Sequence, residues 1–207
     1  MIVGLDIDNT IICYDDLLHD LACEAGFIDK TFPAGKTVIR DHVRKAHGDI
    51  AWQHLQVELY GYSIEKARLS EGVWNFLLKL KEQGIPFQLV SHKTKYPNCG
   101  IAQVDLRKAA LGFLEKKNFF SSGGAGLSVS DVFFLSTRED KVRKILYLNH
   151  SVFIDDLEEV FIEPDFPEHT VKILYSSDDK QMTQSGCSVF NSFDRISSYF
   201  FREIAHG

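Results

Sequence analysis

Two carboxylates stand two residues apart in "GLDIDNT", at Asp6 and Asp8, directly behind the apolar run Ile2, Val3, Gly4 and Leu5. In an extended chain, side chains two apart point the same way, so both acids face one spot. At about 4 Å and an effective dielectric near 20, two such charges repel by roughly 4 kcal/mol. Such a pair needs a cation, a proton or a reaction to justify it. A second pair, Asp155 and Asp156, closes the run "SVFI", and Ser91 closes "PFQLV". Four acids at strand ends make the donor set of a hard divalent cation, since magnesium takes oxygen ligands from carboxylates, waters and phosphates. With charge offset in this way a carboxylate can attack phosphorus, an established form of covalent catalysis.

The elements that position these residues follow from periodicity. "IVGL", "PFQLV", "DVFFL", "SVFI" and "TVKILY" are short apolar runs, mostly continuous, as in strands buried on both faces of a parallel sheet. Helical spacing lies between them. "EGVWNFLLKLKEQG" aligns Val73, Phe76, Leu77 and Leu80 and stops at Gly84; "VDLRKAALGFLEKK" and "EDKVRKILYLNH" follow the same period. The alternation predicts an α/β fold, a Rossmann-like doubly wound parallel sheet, whose ligands bind beyond the carboxyl ends of the strands. Between the first two runs, residues 14–69 read as helices separated by glycines, a small helical insertion. "SSGGAGLS" from Ser121 reads as a flexible loop.

Bulk properties narrow the class. The 207 residues are 44% apolar and 25% charged, as in a globular protein with a real core. A net charge of −6 argues against a nucleic-acid surface. No run approaches the roughly 20 apolar residues that span a membrane. The N-terminus enters a strand directly, so no signal peptide is expected. Cys13, Cys23, Cys99 and Cys187 form no CxxC pair and read as reduced thiols, which predicts a cytoplasmic protein.

"LDIDNT", "QLVSHKT", Lys141 and "VFIDDLEEV" resemble, in that order, the four motifs of the haloacid dehalogenase superfamily of phosphotransferases. The resemblance covers essentially the whole chain. It implies a core of residues 1–13 and 70–207, with 14–69 as a helical cap. It further implies a magnesium-dependent phosphatase acting on a small phosphorylated metabolite. Asp6 is then the nucleophile and Asp8 the acid and base; Ser91 and Lys141 hold the phosphoryl group. Asp156 and Asp155 bind the metal, together with Asp6 and the Asp8 carbonyl. Asn9, Thr10, His92 and Lys93 are expected at the substrate. Val160 stands where some branches carry a further acid, which leaves the division between Asp155 and Asp156 open.

Blander roles compete. Asp6 and Asp8 suit turns, and Asp155 and Asp156 suit a helix cap. "STRE" reads as a capping box with Ser136 as N-cap, which sets Lys141 near the positive end of the helix but off the apolar face; Lys144 is the fallback. Lys36, Arg40 and Arg44 form a basic stripe that is ordinarily a solvated face. Trp52, His54, Tyr60 and Tyr62 read as packing, and His42, His47 and His54 lack a zinc-binding arrangement. The same site also suits a phosphomutase, a phosphonate hydrolase or a non-catalytic binder of a phosphometabolite.

Overall fold

A computed structural model describes residues 1–97, 103–176 and 185–205. The chain divides into two compact units. The first comprises Met1–Ile12, Leu69–His92 and Asn118–Gly207; the second comprises Cys13–Arg68 and Lys93–Lys117.

Among the described residues eight strands are formed: β1 (Val3–Leu5), β2 (Ile12–Cys13), β3 (Arg68–Leu69), β4 (Phe87–His92), β5 (Val132–Leu135), β6 (Val152–Asp155), β7 (Val171–Tyr175) and β8 (Ser188–Phe190). The helices are α1 (Asp15–Glu24), α2 (Lys36–His47), α3 (Asp49–Val57), α4 (Val73–Glu82), α5 (Leu106–Lys116), α6 (Arg138–Tyr147), α7 (Glu158–Phe161) and α8 (Phe193–Tyr199). The first unit is a parallel sheet in the order β5-β4-β1-β6-β7-β8. After β5 the chain returns past β1 to start β6, so strand order reverses around β1, the kind of point where doubly wound sheets bind ligands. The five apolar runs all lie in this sheet. The sixth strand, β8, lacks a long apolar run, and its three residues are only half-buried.

Register decides which way each functional side chain points. Gly4 pairs with Gln88 and with Phe153, and Leu5 pairs with Leu89 and Ile154. Phe153 and Val90 pack with Val142 and Ile145 of α6 and with Val160 and Phe161 of α7. By strand alternation, Asp6 and Asp155 therefore share the pleat face of Gly4 and Phe153, the face covered by α6. Gly4 allows this packing, because a Cβ there would lie 2.4 Å from Phe153. Elsewhere in the unit, Phe76 of α4 packs against Phe193 of α8 and against Phe200 and Phe201.

The "SSGGAGLS" segment is an ordered turn. Lys81 Nζ donates to the carbonyls of Ser122 and Gly124, both at 2.6 Å. A side chain at Gly124 would place Cβ 1.9 Å from the Asn118 carbonyl. The second unit holds α1, α2 and α3, with Trp52 and Leu55 in its interior. The expected insertion ended at residue 69, whereas this unit also takes in residues 93–117 and hence α5. Gly61 explains the association, since its bare Cα admits Val104 and Leu106; a Cβ would meet Val104 at 2.9 Å. Among the described residues no disulfide forms, and Cys13, Cys23 and Cys187 are thiols; Cys99 lies outside the described residues. No helix of the described residues is long and apolar enough to cross a membrane.

Candidate active site

Asp6 follows β1, where its N–H donates to the Ile154 carbonyl at 2.9 Å. That bond fixes it beside the end of β6, which terminates in Asp155. Both acids are buried, and Lys141 enters between them at 1% exposure. Lys141 Nζ donates to Asp6 Oδ1 at 2.6 Å and lies 2.6 Å from Asp155 Oδ2. The Asp155 contact is a close ion pair. Asp155 is oriented further by the Leu157 N–H, which donates to Oδ1 at 3.1 Å.

The lysine arrives one residue out of the expected register. The N-cap of α6 is Thr137, whose hydroxyl accepts from Asp140 N–H at 3.1 Å; Ser136 does not cap. Thr137 takes the extended conformation an N-cap requires, and Lys141 is then the fourth helical residue, one position nearer the helix start than a Ser136 cap would place it. Lys141 is buried with Val142 and Ile145 instead of lying on a wet face, because two carboxylates offset its desolvation. Lys144 stands elsewhere, with Nζ 5.0 Å from the ring centroids of Phe133 and Tyr147.

The electrostatics of this triad are unbalanced. Burial pushes the Asp6 carboxyl up to about 7, opposed by Lys141 and reinforced by the charges of Asp155 and Asp8. Burial alone would depress the Lys141 ammonium, but Asp155 and Asp6 hold it well above its usual range. One ammonium shared by two buried carboxylates leaves an excess negative charge. Oxygens of Asp6, Asp155 and Asp156 lie within 4.8 Å of one another. This is an all-oxygen set with surplus negative charge, which a hard divalent cation fits.

Beyond Asp6 the chain turns sharply. Ile11 and Ile12 N–H both donate to the Ile7 carbonyl, and Asn9 N–H donates to Ile12 O at 2.8 Å. Asn9 adopts φ 60°, a left-handed conformation that asparagine tolerates. Asp8, half-buried, bridges to Ile12 in this turn. The turn leaves the Thr10 hydroxyl buried without a hydrogen-bond partner, and Ser91 Oγ is in the same condition at 1% exposure. An unsatisfied buried hydroxyl costs about 1–3 kcal/mol. Two of them in segments flanking Asp6 are suited to receive oxygens of a ligand.

Not every expected contact belongs to this cluster. Ser91 and His92 are consecutive in β4, so their side chains leave opposite faces, and the pairing of Gly4 with Gln88 puts His92 on the pleat face of Asp6. His92 is exposed and hydrogen-bonds the backbone of Ser136; burial first, then the Lys141 charge, lowers its pKa. Lys93 belongs to the second unit, where it meets Tyr60. Of the basic stripe, Arg40 and Arg44 pair with Asp41 and Asp49, each at 2.8 Å, as a solvated face does.

The sequence matches no protein-family model, and no curated protein sequence matches it either. Solved structures are similar along nearly the whole chain. A predicted phosphatase from Clostridium acetobutylicum superposes with TM-score 0.62 at 14% identity, covering 97% of both chains. A HAD hydrolase of family IA, variant 3, from Entamoeba histolytica gives 0.55 at 16%, covering 93% of each. A HAD family hydrolase from Deinococcus radiodurans, with bound phosphate and sodium, gives 0.53 at 12%, covering 94% of this chain and 92% of its own. The chain therefore carries the haloacid-dehalogenase-like fold.

Proposed function

We propose that the protein is a magnesium-dependent phosphomonoester hydrolase working through an aspartyl-phosphate on Asp6. The observation that carries this reading is the placement of Asp6: 2.6 Å from a buried lysine and within one cation's reach of Asp155 and Asp156. The phosphate bound to the Deinococcus radiodurans hydrolase of the same fold is consistent with it.

A carboxylate oxygen of Asp6 attacks phosphorus, and the bond from phosphorus to the leaving oxygen breaks. Asp8 gives its proton to that oxygen, releasing an alcohol. Water then attacks the acyl phosphate, losing a proton to Asp8, and the Asp6–phosphorus bond breaks to release inorganic phosphate. Lys141 neutralises charge on the transferring group, while the hydroxyls of Ser91 and Thr10 donate to its oxygens. Asp6, Asp155, Asp156 and the Asp8 carbonyl would hold the magnesium, which supplies positive charge against the phosphoryl oxygens. Asp155 also orients Lys141, so the half-buried Asp156 is the acid given more fully to the metal. The scattered thiols suit a cytoplasmic enzyme.

The test is phosphate release from 4-nitrophenyl phosphate and a panel of phosphometabolites, with magnesium, with chelator, and with Asp6→Asn. Release that needs the metal and disappears in Asp6→Asn is expected. Activity retained by Asp6→Asn overturns the nucleophile assignment.

A further inference from the structure

Asp155 and Asp156 run through Leu157 into α7, Glu158–Phe161, a helix of four residues. One turn of helix is marginal by itself, because nucleation fixes several residues for a single hydrogen bond. Its placement therefore depends on contacts beyond the helix, and both of its ends make them within the first unit. At the start, Glu158 Oε1 accepts from the Ser185 N–H and from the Ser185 hydroxyl, each at 3.1 Å. At the end, Lys172 Nζ donates to the Phe161 carbonyl at 3.0 Å and, more loosely, to the Ser185 carbonyl at 3.5 Å. Lys172 and Ser185 thus close a ring of contacts around the helix that follows the metal acids.

Sheet register brings the lysine there. Lys172 of β7 pairs with Phe153 of β6, so it shares the pleat face on which Phe153 packs with Val160 and Phe161. Its ammonium lies 5.1 Å from the Phe166 ring centroid, and that ring meets Phe161 edge-on at 5.3 Å. A half-buried ammonium bears a desolvation cost, which hydrogen bonds to carbonyls offset. The Phe161 carbonyl is one of those that a helix end leaves without an intrahelical donor, and a lysine suits it.

We propose that Lys172 is a positioning residue for the metal site: by fixing α7 against β7 and Ser185, it holds Asp156 within reach of a cation shared with Asp6 and Asp155. This role rests on the reading of those three acids as magnesium ligands. Groups that orient metal ligands from behind typically change metal affinity roughly 10- to 100-fold when they are removed. The effect is one of population. If Asp156 is correctly placed in a smaller fraction of molecules, the apparent dissociation constant rises by the inverse of that fraction. The sign separates this role from simple electrostatics. Removing a cation makes the surroundings of the acids more negative, which by itself tightens magnesium binding, whereas lost placement weakens it.

Calorimetry with magnesium alone, on the full chain, measures the dissociation constant for wild type, Lys172→Met, Lys172→Gln and Lys81→Met. Lys81 makes the same kind of ammonium-to-carbonyl contacts, at Ser122 and Gly124, and serves as the control. Lys172→Met should weaken magnesium binding by about tenfold, while Lys81→Met should leave it at the wild-type value. Lys172→Gln, shorter and neutral, repeats the test with a polar side chain should the methionine variant not fold. Unchanged or tighter binding by a folded Lys172 variant overturns the positioning role, as does equal weakening in Lys81→Met. Either outcome leaves the phosphatase reading standing. No magnesium binding by the wild type would instead overturn the metal assignment on which both rest.

Discussion

The ammonium of Lys141 donates to a carboxylate oxygen of Asp6 at 2.6 Å, although 135 residues separate the two in the chain. The pair is wholly interior, and Asp155 shares the same ammonium. Removing one partner of a buried ion pair typically costs about 3–5 kcal/mol, because it strands the remaining charge. Lys141→Met should therefore abolish phosphate release and lower unfolding free energy by about that amount. Urea denaturation measures the second effect. Stability within about 1 kcal/mol of wild type would show that the triad does not carry the charge described.

Asp8 is assigned the proton that the leaving group needs, and general acid–base catalysis contributes roughly a hundred- to ten-thousandfold. Asp8→Ala should lose that factor on alkyl phosphates, whose alkoxides leave poorly. With 4-nitrophenyl phosphate the first step needs no acid, but hydrolysis of the aspartyl-phosphate still needs a base. Rapid-mixing experiments should then show a burst of nitrophenol equal to the enzyme present. Equal losses on both substrate types and no burst would remove Asp8 from both proton transfers.

Ser91 separates function from stability. Its buried hydroxyl lacks a protein partner, so Ser91→Ala removes a cost of folding and should leave unfolding free energy unchanged or raised. A hydrogen bond to a charged group is worth about 1.5–3 kcal/mol, so kcat/KM should fall roughly ten- to a hundredfold. Loss of stability without loss of activity would make Ser91 a structural hydroxyl.

Much of this site was legible in the chain because it sits at strand ends. Asp6, Ser91 and Asp155 each close an apolar run, and alternation with helices implies that those runs lie parallel. What pattern could not reveal was register. Thr137 and Ser136 are both capable N-caps, and residue type alone does not choose between them. Lys141 reads as a wet-face lysine because helical periodicity counts apolar residues and is blind to ion pairs formed across the sheet. His92 stands beside Ser91 in sequence, and the pleat sends the two side chains to opposite faces, a distinction that adjacency alone does not carry. Pattern alone leaves residues 93–117 with the core, because their helix follows the second strand, whereas contacts at the bare Cα of Gly61 join them to the helical unit.

His150 supplies a pH dependence unconnected with catalysis. It is fully buried beneath Phe153, with ring centroids 5.7 Å apart. Its Nε2 lies 3.1 Å from Gln88 Oε1, and the Gln88 amide donates to Asp131, so the tautomer assigned from these partners carries its proton on Nε2. Nδ1 is then an acceptor left without a partner, beside the bare Cα of Gly4. A second proton would have to enter that apolar setting, and burial accordingly lowers the pKa to about 4 from an ordinary 6.5. The unfolded chain takes up this proton near pH 6.5 while the folded one refuses it until about pH 4. Stability is therefore complete above pH 6.5, declines as pH falls through that window, and levels near pH 4. The shift corresponds to about 3 kcal/mol. Thermal or urea unfolding followed from pH 7 to 4 should show this decline, and His150→Leu should flatten it. An unchanged slope in His150→Leu would assign the acid sensitivity to other groups.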